Sequence, residues 1–398
     1  MSGFFNNSTQ DYEMDERDCS EGSILEGLIL GTSWFQAIIF TAYVLIFAAA
    51  LIGNGLVVIS VRASPRMRTV TNLLLVNLAF SDLLLAVACV PFSFVPTLVL
   101  QYWPFGAPLC KLVSYCQAVS VLVSAYTLLA ISVERYAAIM RPLRPRLARR
   151  HARWVVFAVW VGALASATPI LIVSEVVQPN ERYKMCDWFL CTEQWDSMDA
   201  QKLYTLALLM LQYALPLGVL LFTYSRIAAE VWGTRPPGEA HNMRDMRIAK
   251  NKRKMVKMMV VVVLVFTVCW APFNILLILL DMEPELRYWP GLPYMWFACH
   301  WLAMSHACYN PLVYCWMNAR FRAAFAHTLR RVPLLRRCTP QPPAEPTLNR
   351  ANTCTSYVSV RAPRNSQNLS STQMVTLRPN LPVNNKFRPI ILDDEDIL

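Results

Sequence analysis

Charge is scarce in this sequence. Of 398 residues only 16% are charged, while 55% are hydrophobic and the mean hydropathy is +0.35. Soluble domains carry about 25% charged residues. A chain this apolar cannot cover a globule of its size with polar surface, which excludes an ordinary soluble protein and points to a membrane. Metal-ligand spacing is missing as well. The 12 cysteines include no CxxC pair and the five histidines form no cluster, so neither a zinc site nor a disulfide-rich scaffold is expected. A basic leader is absent too. The first 33 residues hold Asp11, Glu13, Asp15, Glu16, Asp18, Glu21 and Glu26 against Arg17 alone. That is the reverse of a signal peptide, so the expectation is no cleavage, with the first apolar span as anchor. No repeat of fixed period is visible. The net charge of +11 would suggest nucleic acid in a soluble protein. Here the basic residues lie between apolar runs, and no nucleic-acid partner is expected.

Long apolar sequence is what the chain has in abundance. Seven stretches reach the roughly 20 apolar residues that a membrane helix needs, near 34–61, 72–100, 108–137, 153–174, 203–228, 254–280 and 292–316. Asp82 is the only acid in the first, second and fourth to seventh of them. Basic and acidic connections alternate. Arg62, Arg66 and Arg68, then Arg141 to Arg153, then Arg244 to Lys257 face acid-rich segments at the N-terminus, at 175–202 and at 281–291. Basic loops stay in the cytoplasm, which puts the N-terminus outside and the C-terminus inside. Asn6 and Asn7 begin sequons on the outer side and are candidate glycan sites.

The expected fold is an all-α membrane protein, a seven-transmembrane helix bundle at the plasma membrane. It divides into an outer N-terminus (1–33), the bundle (34–317), a short amphipathic helix on the inner leaflet (318–331, with Phe321 and Phe325 at i, i+4) and a disordered tail (332–398). Cys338 is a candidate for palmitoylation, and membrane lipid is an expected contact. A transporter would place ionisable residues in several spans or show paired repeats, and neither is seen.

Polar groups at membrane depth are costly and mark function. Glu134-Arg135-Tyr136 ends the third span, where Arg135 can pair with Glu134 in one state and swing to another partner in a second, or simply snorkel to the interface. Beside it stand Gly53-Asn54, "NLAFSD" ending at Asp82, Trp160, Tyr224 after Pro216, "FTVCWAP" (266–272) and "NPLVY" (310–314), each in its own span. Together, over about residues 34–330, they resemble the rhodopsin-like family of G-protein-coupled receptors. The resemblance implies a receptor, not an enzyme, that hands a signal to a heterotrimeric G protein and later to arrestin. It implies an inner switch made of Glu134, Arg135, Tyr136, Tyr224, Asn310, Pro311 and Tyr314, with Phe266, Trp270 and Pro272 coupling it to the ligand pocket.

Two departures follow. "KNKRKMVKMM" (250–259) offers no acid to hold Arg135 from the sixth span, which implies appreciable basal signalling. Asp82 with Asn54, Ser124 and Asn310 resembles the family's sodium pocket, but His306 stands where a small polar residue is usual. A sodium ion is therefore a doubtful cofactor, and weak sodium sensitivity, replaced by pH sensitivity, is expected. The family's outer disulfide would join Cys110 to Cys191, with Cys186 competing for the same partner and Cys19 available to Cys186.

The absence of Lys from 292–316 excludes a retinal Schiff base, and Gln117 stands where amine receptors place an Asp. "QYWPFG" (101–106), Gln117, "CTEQW" (191–195), Gln212, Asp281 and "CHWLAMSHACYNP" (299–311) resemble neuropeptide Y receptors and their arthropod relatives of the RYamide type. The resemblance implies an amidated neuropeptide agonist ending in Arg-aromatic-amide. Asp281 would bind its Arg, while Gln117, Gln212 and His300, above Trp270, line the cavity for its aromatic amide. Leu277 departs from the Asn of several vertebrate relatives. Tyr102, Trp103 and Trp289 are candidates to pack ligand aromatics. Other amidated peptides, tachykinin-like or RFamide, are the alternative.

Overall fold

Apolar side chains that repeat over more than 20 residues close their backbone hydrogen bonds within helices, the only open-chain solution in lipid. The computed structural model describes residues 33–141, 148–233 and 243–330. All of these lie in the first of two compact units, Met1–Pro340; the second is residues 341–398. Asn6, Asn7, Cys19, Pro142, Leu143, Cys338 and the tail lie outside the described residues.

The long helices are α1 (Ser33–Ala63), α2 (Val70–Ala88), α3 (Gly106–Met140), α4 (Arg149–Val173), α5 (Met198–Gly233), α6 (Met243–Met282) and α7 (Leu292–Met317), followed by the short α8 (Ala319–Leu329). Among the described residues, six helices are long and apolar enough to cross a membrane. The seventh, α7, has the length at 26 residues but spends more of it on polar side chains, which it buries: His300, Ser305, His306 and Asn310. Outward faces carry Trp34, Ile52, Phe157, Leu203, Phe222 and Leu312, exposed because lipid is their partner. Central α3 packs on α2, α4 and α5, and α1 closes the ring against α2 and α7 while α6 lies against α5 and α7. Gly53 of α1 sits so close to α7 that a Cβ there would meet Pro311 Cγ at 2.9 Å.

Four expectations change in detail. The second span is not one regular helix. It breaks at Cys89 (φ −120°), resumes over Val90–Phe94 and ends as a π-helical turn, Val95–Leu100, because Pro91 and Pro96 supply no amide hydrogen. Gln101 then closes it in the left-handed region (φ 63°). The sixth helix starts at Met243, so much of the basic stretch expected as a loop is helical. Phe321 and Phe325 are buried: α8 turns its apolar face onto the bundle, with Phe321 5.5 Å from the Tyr314 ring. The second outer loop adds a strand pair, β1 (Ser174–Val177) antiparallel to β2 (Leu190–Glu193), in register Val176 to Cys191.

Candidate functional site

The disulfide pins that strand pair over the bundle. Cys110, in the first turns of α3, bonds Cys191 of β2, with Cα atoms 5.6 Å apart. Cys186 is also disulfide-bonded. Between β1 and β2, Tyr183 is buried and its hydroxyl donates to Gln101 O at 2.8 Å, tying the loop to the end of the second span. Burial pushes the Tyr183 phenol up to about 12, against the opposing pull of Arg182, so it remains a donor at physiological pH.

Beneath the hairpin lies a cavity of about 580 Å³. Its walls come from the outer end of the second span and the turn after it, α3, β2, α5, α6 and α7, and they include Gln117, Gln212, Asp281 and His300 together. Charge is confined to Glu193, Asp281 and Arg287, the last being the only Lys or Arg among the described lining residues. Asp281 ends α6 and lies 3.7 Å from Arg287. The deep lining is neutral and polar. Ser93 donates to Gln117 Oε1 at 3.4 Å, and His300 shares a 2.8 Å hydrogen bond with Tyr43 while stacking on Trp296 at 4.7 Å.

Asn274, not among the expected site residues, lines this cavity too. It is buried, and its Nδ2 finds no acceptor among the described residues. Its signal was there: a lone amide in the apolar run "APFNILLILL", on the same helix face as Asp281 seven residues later. Arg287, Glu193 and Trp296 were also missed, since nothing local points them inward.

Trp270 lies below the cavity, not in its wall. It is buried against Phe266 and Phe273, and its Nε1 lies 3.2 Å from His306 Nδ1. Tyr102 and Trp103 reach the cavity. Trp103, however, is buried and donates to Gly106 O at 2.9 Å, and Tyr102 stacks on Trp188, so both already have packing partners. Trp289 lies outside the lining, folded over Gly291.

Below Trp270 a polar column runs inward. His306 Nδ1 is 2.7 Å from Ala303 O, and its Nε2 faces Asp82 Oδ1 at 3.7 Å without a hydrogen bond. Asn310 donates to Asp82 Oδ2 at 2.9 Å, and Ser124 to Oδ1 at 3.5 Å. Asn54 does not reach the carboxylate. Its amide donates to Ala50 O and Ala307 O and so joins α1 to α7. A sodium ion needs oxygen acceptors around it; beside the Asp82 carboxylate stand the Ser124 hydroxyl, the amide nitrogen of Asn310 and the imidazole of His306, so only the hydroxyl offers it an oxygen. Trp160 donates to Asn77 Oδ1 at 2.8 Å, and Asn77 donates to Thr127, locking α4, α2 and α3 together.

At the inner end Arg135 makes a forked pair with Glu134, Nε to Oε2 at 2.6 Å and Nη2 to Oε1 at 3.0 Å. Thr71 donates to the same carboxylate at 3.2 Å. Tyr224 and Tyr314 are buried nearby in the core, and the Tyr314 hydroxyl has no hydrogen bond among the described residues.

The sequence pattern of the 7 transmembrane receptor (rhodopsin family) matches residues 53–314. The RYamide receptor of Drosophila melanogaster is 51% identical over 357 residues, covering 86% of this chain and 76% of that protein. The RYamide receptor of Tribolium castaneum is 48% identical over 316 residues, covering 78% and 85%. The Tachykinin-like peptides receptor 99D of Drosophila melanogaster is 36% identical over 283 residues, covering 70% and 54%.

Proposed function

Because the chain belongs to the rhodopsin family of seven-transmembrane receptors, we propose that its outer cavity receives the C-terminus of an amidated neuropeptide ending in Arg-Tyr-amide. It is a multi-pass membrane protein and a G-protein-coupled receptor, not an enzyme. The RYamide receptors of Drosophila melanogaster and Tribolium castaneum, 51% and 48% identical to it, support that ligand class.

One observation carries the reading. The outer edge of the cavity carries two acids, Asp281 and Glu193, against one cation, Arg287, and there is no Lys or Arg at depth among the described lining residues. A ligand guanidinium can form a charge-assisted pair with Asp281. Trp270 lies eleven residues before Asp281, about three helical turns deeper. Between these levels Gln117, Gln212, Asn274 and His300 offer hydrogen bonds without charge. A neutral carboxamide fits such a floor. A free carboxylate would lose its water there and find no counter-charge, which is costly.

Agonist binding would favour one of two bundle states. Trp270 and Phe266 carry that preference to the inner switch through His306 and Asp82. Arg135 then leaves Glu134, and Arg135, Ile139, Tyr224, Lys254 and Met258 form the groove for a G-protein helix. Arrestin would follow at the phosphorylated tail, and the site of action is the plasma membrane.

The test is a second-messenger assay in transfected cells, with a peptide ending in Arg-Tyr-amide beside its free acid. A response to the amide alone is expected. Equal potency of the two forms would overturn the pocket assignment. A tachykinin-like peptide is the second reading, favoured by the 36% identity to the Tachykinin-like peptides receptor 99D. Its preference in the same assay would replace the first.

A further inference from the structure

The carboxylate assigned to the ligand's arginine is already paired within the receptor. Asp281 closes α6, and the chain then turns through the 3-10 segment Pro284–Tyr288. That turn brings Arg287 back over the cavity edge, with Nη2 3.7 Å from Asp281 Oδ1. Both side chains line the cavity, and both keep partial exposure, 30% for Arg287 and 22% for Asp281. The contact is a single long one, not a two-pronged fork. Partly exposed pairs of this kind are weak, while a guanidinium that meets a carboxylate with two short hydrogen bonds is held more firmly.

We infer that Arg287 occupies the guanidinium subsite that Asp281 offers to a peptide arginine, and that it must be displaced when the peptide binds. This inference rests on the proposed reading of the cavity and adds to it a residue that sets affinity and selectivity. Arg287 is chemically the same group as the ligand's arginine and is tethered six residues from its partner. It therefore competes at a fixed local concentration, and a ligand cation that forms only one weak contact does not remove it. Arginine, with its fork, is selected over lysine. Loss of Arg287 and loss of Asp281 then have opposite signs: the first strengthens binding of an arginine peptide and the second weakens it.

The experiment is competition binding on full-length receptor in cell membranes. The probes are a peptide ending in Arg-Tyr-amide and its citrulline-Tyr-amide analogue, which keeps the shape and loses the charge. The variants are Arg287→Gln, Asp281→Asn, the two combined, and Lys202→Gln. Lys202 is an exposed cation in the first turns of α5 that does not contact Asp281, and it controls for the general outer field. Arg287→Gln is expected to tighten binding of the arginine peptide about threefold to fivefold, the weight of one surface ion pair. The citrulline analogue is expected to be unmoved, Lys202→Gln to gain nothing, and the gain to vanish in the Asp281→Asn background.

Weaker binding in Arg287→Gln would make Arg287 a ligand contact and overturn the inference. Equal gains for both peptides, or the same gain from Lys202→Gln, would reduce it to bulk charge. No change would make Arg287 a spectator. If Asp281→Asn itself leaves the arginine peptide unaffected, the cavity reading falls first and the inference with it.

Discussion

Arg135 Nη1 donates to the sulfur of Met255 at 3.0 Å. The sixth helix therefore meets the switch arginine with a thioether, a weak acceptor, while both remaining arms of the guanidinium stay on Glu134. The expected absence of an acid from 250–259 thus has a structural counterpart, a contact that α6 can break at little cost.

Replacing that sulfur with a carboxylate supplies the missing lock. Met255→Glu is expected to lower agonist-independent second-messenger output at least about fivefold, since a charge-assisted pair is roughly twice as strong as a neutral one. The readout is basal signal normalised to surface receptor. An unchanged or higher basal signal in the variant would show that α6 does not restrain Arg135.

The contact of α1 with α7 depends on one missing side chain. A Cβ at Gly53 would come within 2.9 Å of the Pro311 ring, whereas Gly55 has open space around it. Gly53→Val is expected to cost about 1–3 kcal/mol by overpacking, seen as a lower unfolding temperature of the solubilised receptor. Gly55→Ala is expected to be neutral or stabilising by roughly 0.5–1 kcal/mol. Equal effects of the two would remove the close approach as the cause.

Sodium is expected to have no specific effect. Asp82 is fully buried and is met by Asn310, Ser124 and His306, so a cation would have to displace an imidazole to reach it. Agonist binding curves in NaCl and in choline chloride at equal ionic strength should superimpose. A steep, sodium-specific loss of affinity would mean that His306 moves aside.

One hydroxyl adds to the hold of the disulfide on the outer loop. Tyr183→Phe removes the donor to Gln101 O and leaves a buried carbonyl with one partner fewer, a loss of about 1 kcal/mol. With the folded phenol near 12 and an unfolded one near 10, the sign is fixed. The contribution is fully present below pH 10 and is lost as pH rises toward 12, where only the unfolded phenol ionises readily. The wild-type advantage in thermal unfolding should shrink and then reverse over that alkaline range, because raising the phenol from near 10 to about 12 is worth about 2.7 kcal/mol against about 1 for the hydrogen bond. A constant difference would place the effect in packing.

Much of this molecule is legible in its sequence because lipid imposes a local rule. Runs of apolar residues must be helices, their lengths are set by the bilayer, and the alternation of basic and acidic loops sets their direction. Single polar residues in those runs, such as Asp82, Glu134, Gln117 and Asn310, announce themselves because burial there is expensive. What tertiary structure alone decides is which of them meet. The turn after α6 sets Arg287 on Asp281, and the bond from Cys110 to Cys191 makes β2 a wall of the cavity. Asn54 leaves Asp82 for backbone carbonyls. Asn274 becomes a lining residue only when α6 rotates it inward, and Trp270 is held a layer below by Phe273 and His306. Helical period and hydrophobicity act on neighbours in the chain. Ion pairs, disulfides and shared carbonyls join residues far apart in it, and their geometry exists only once the helices have packed.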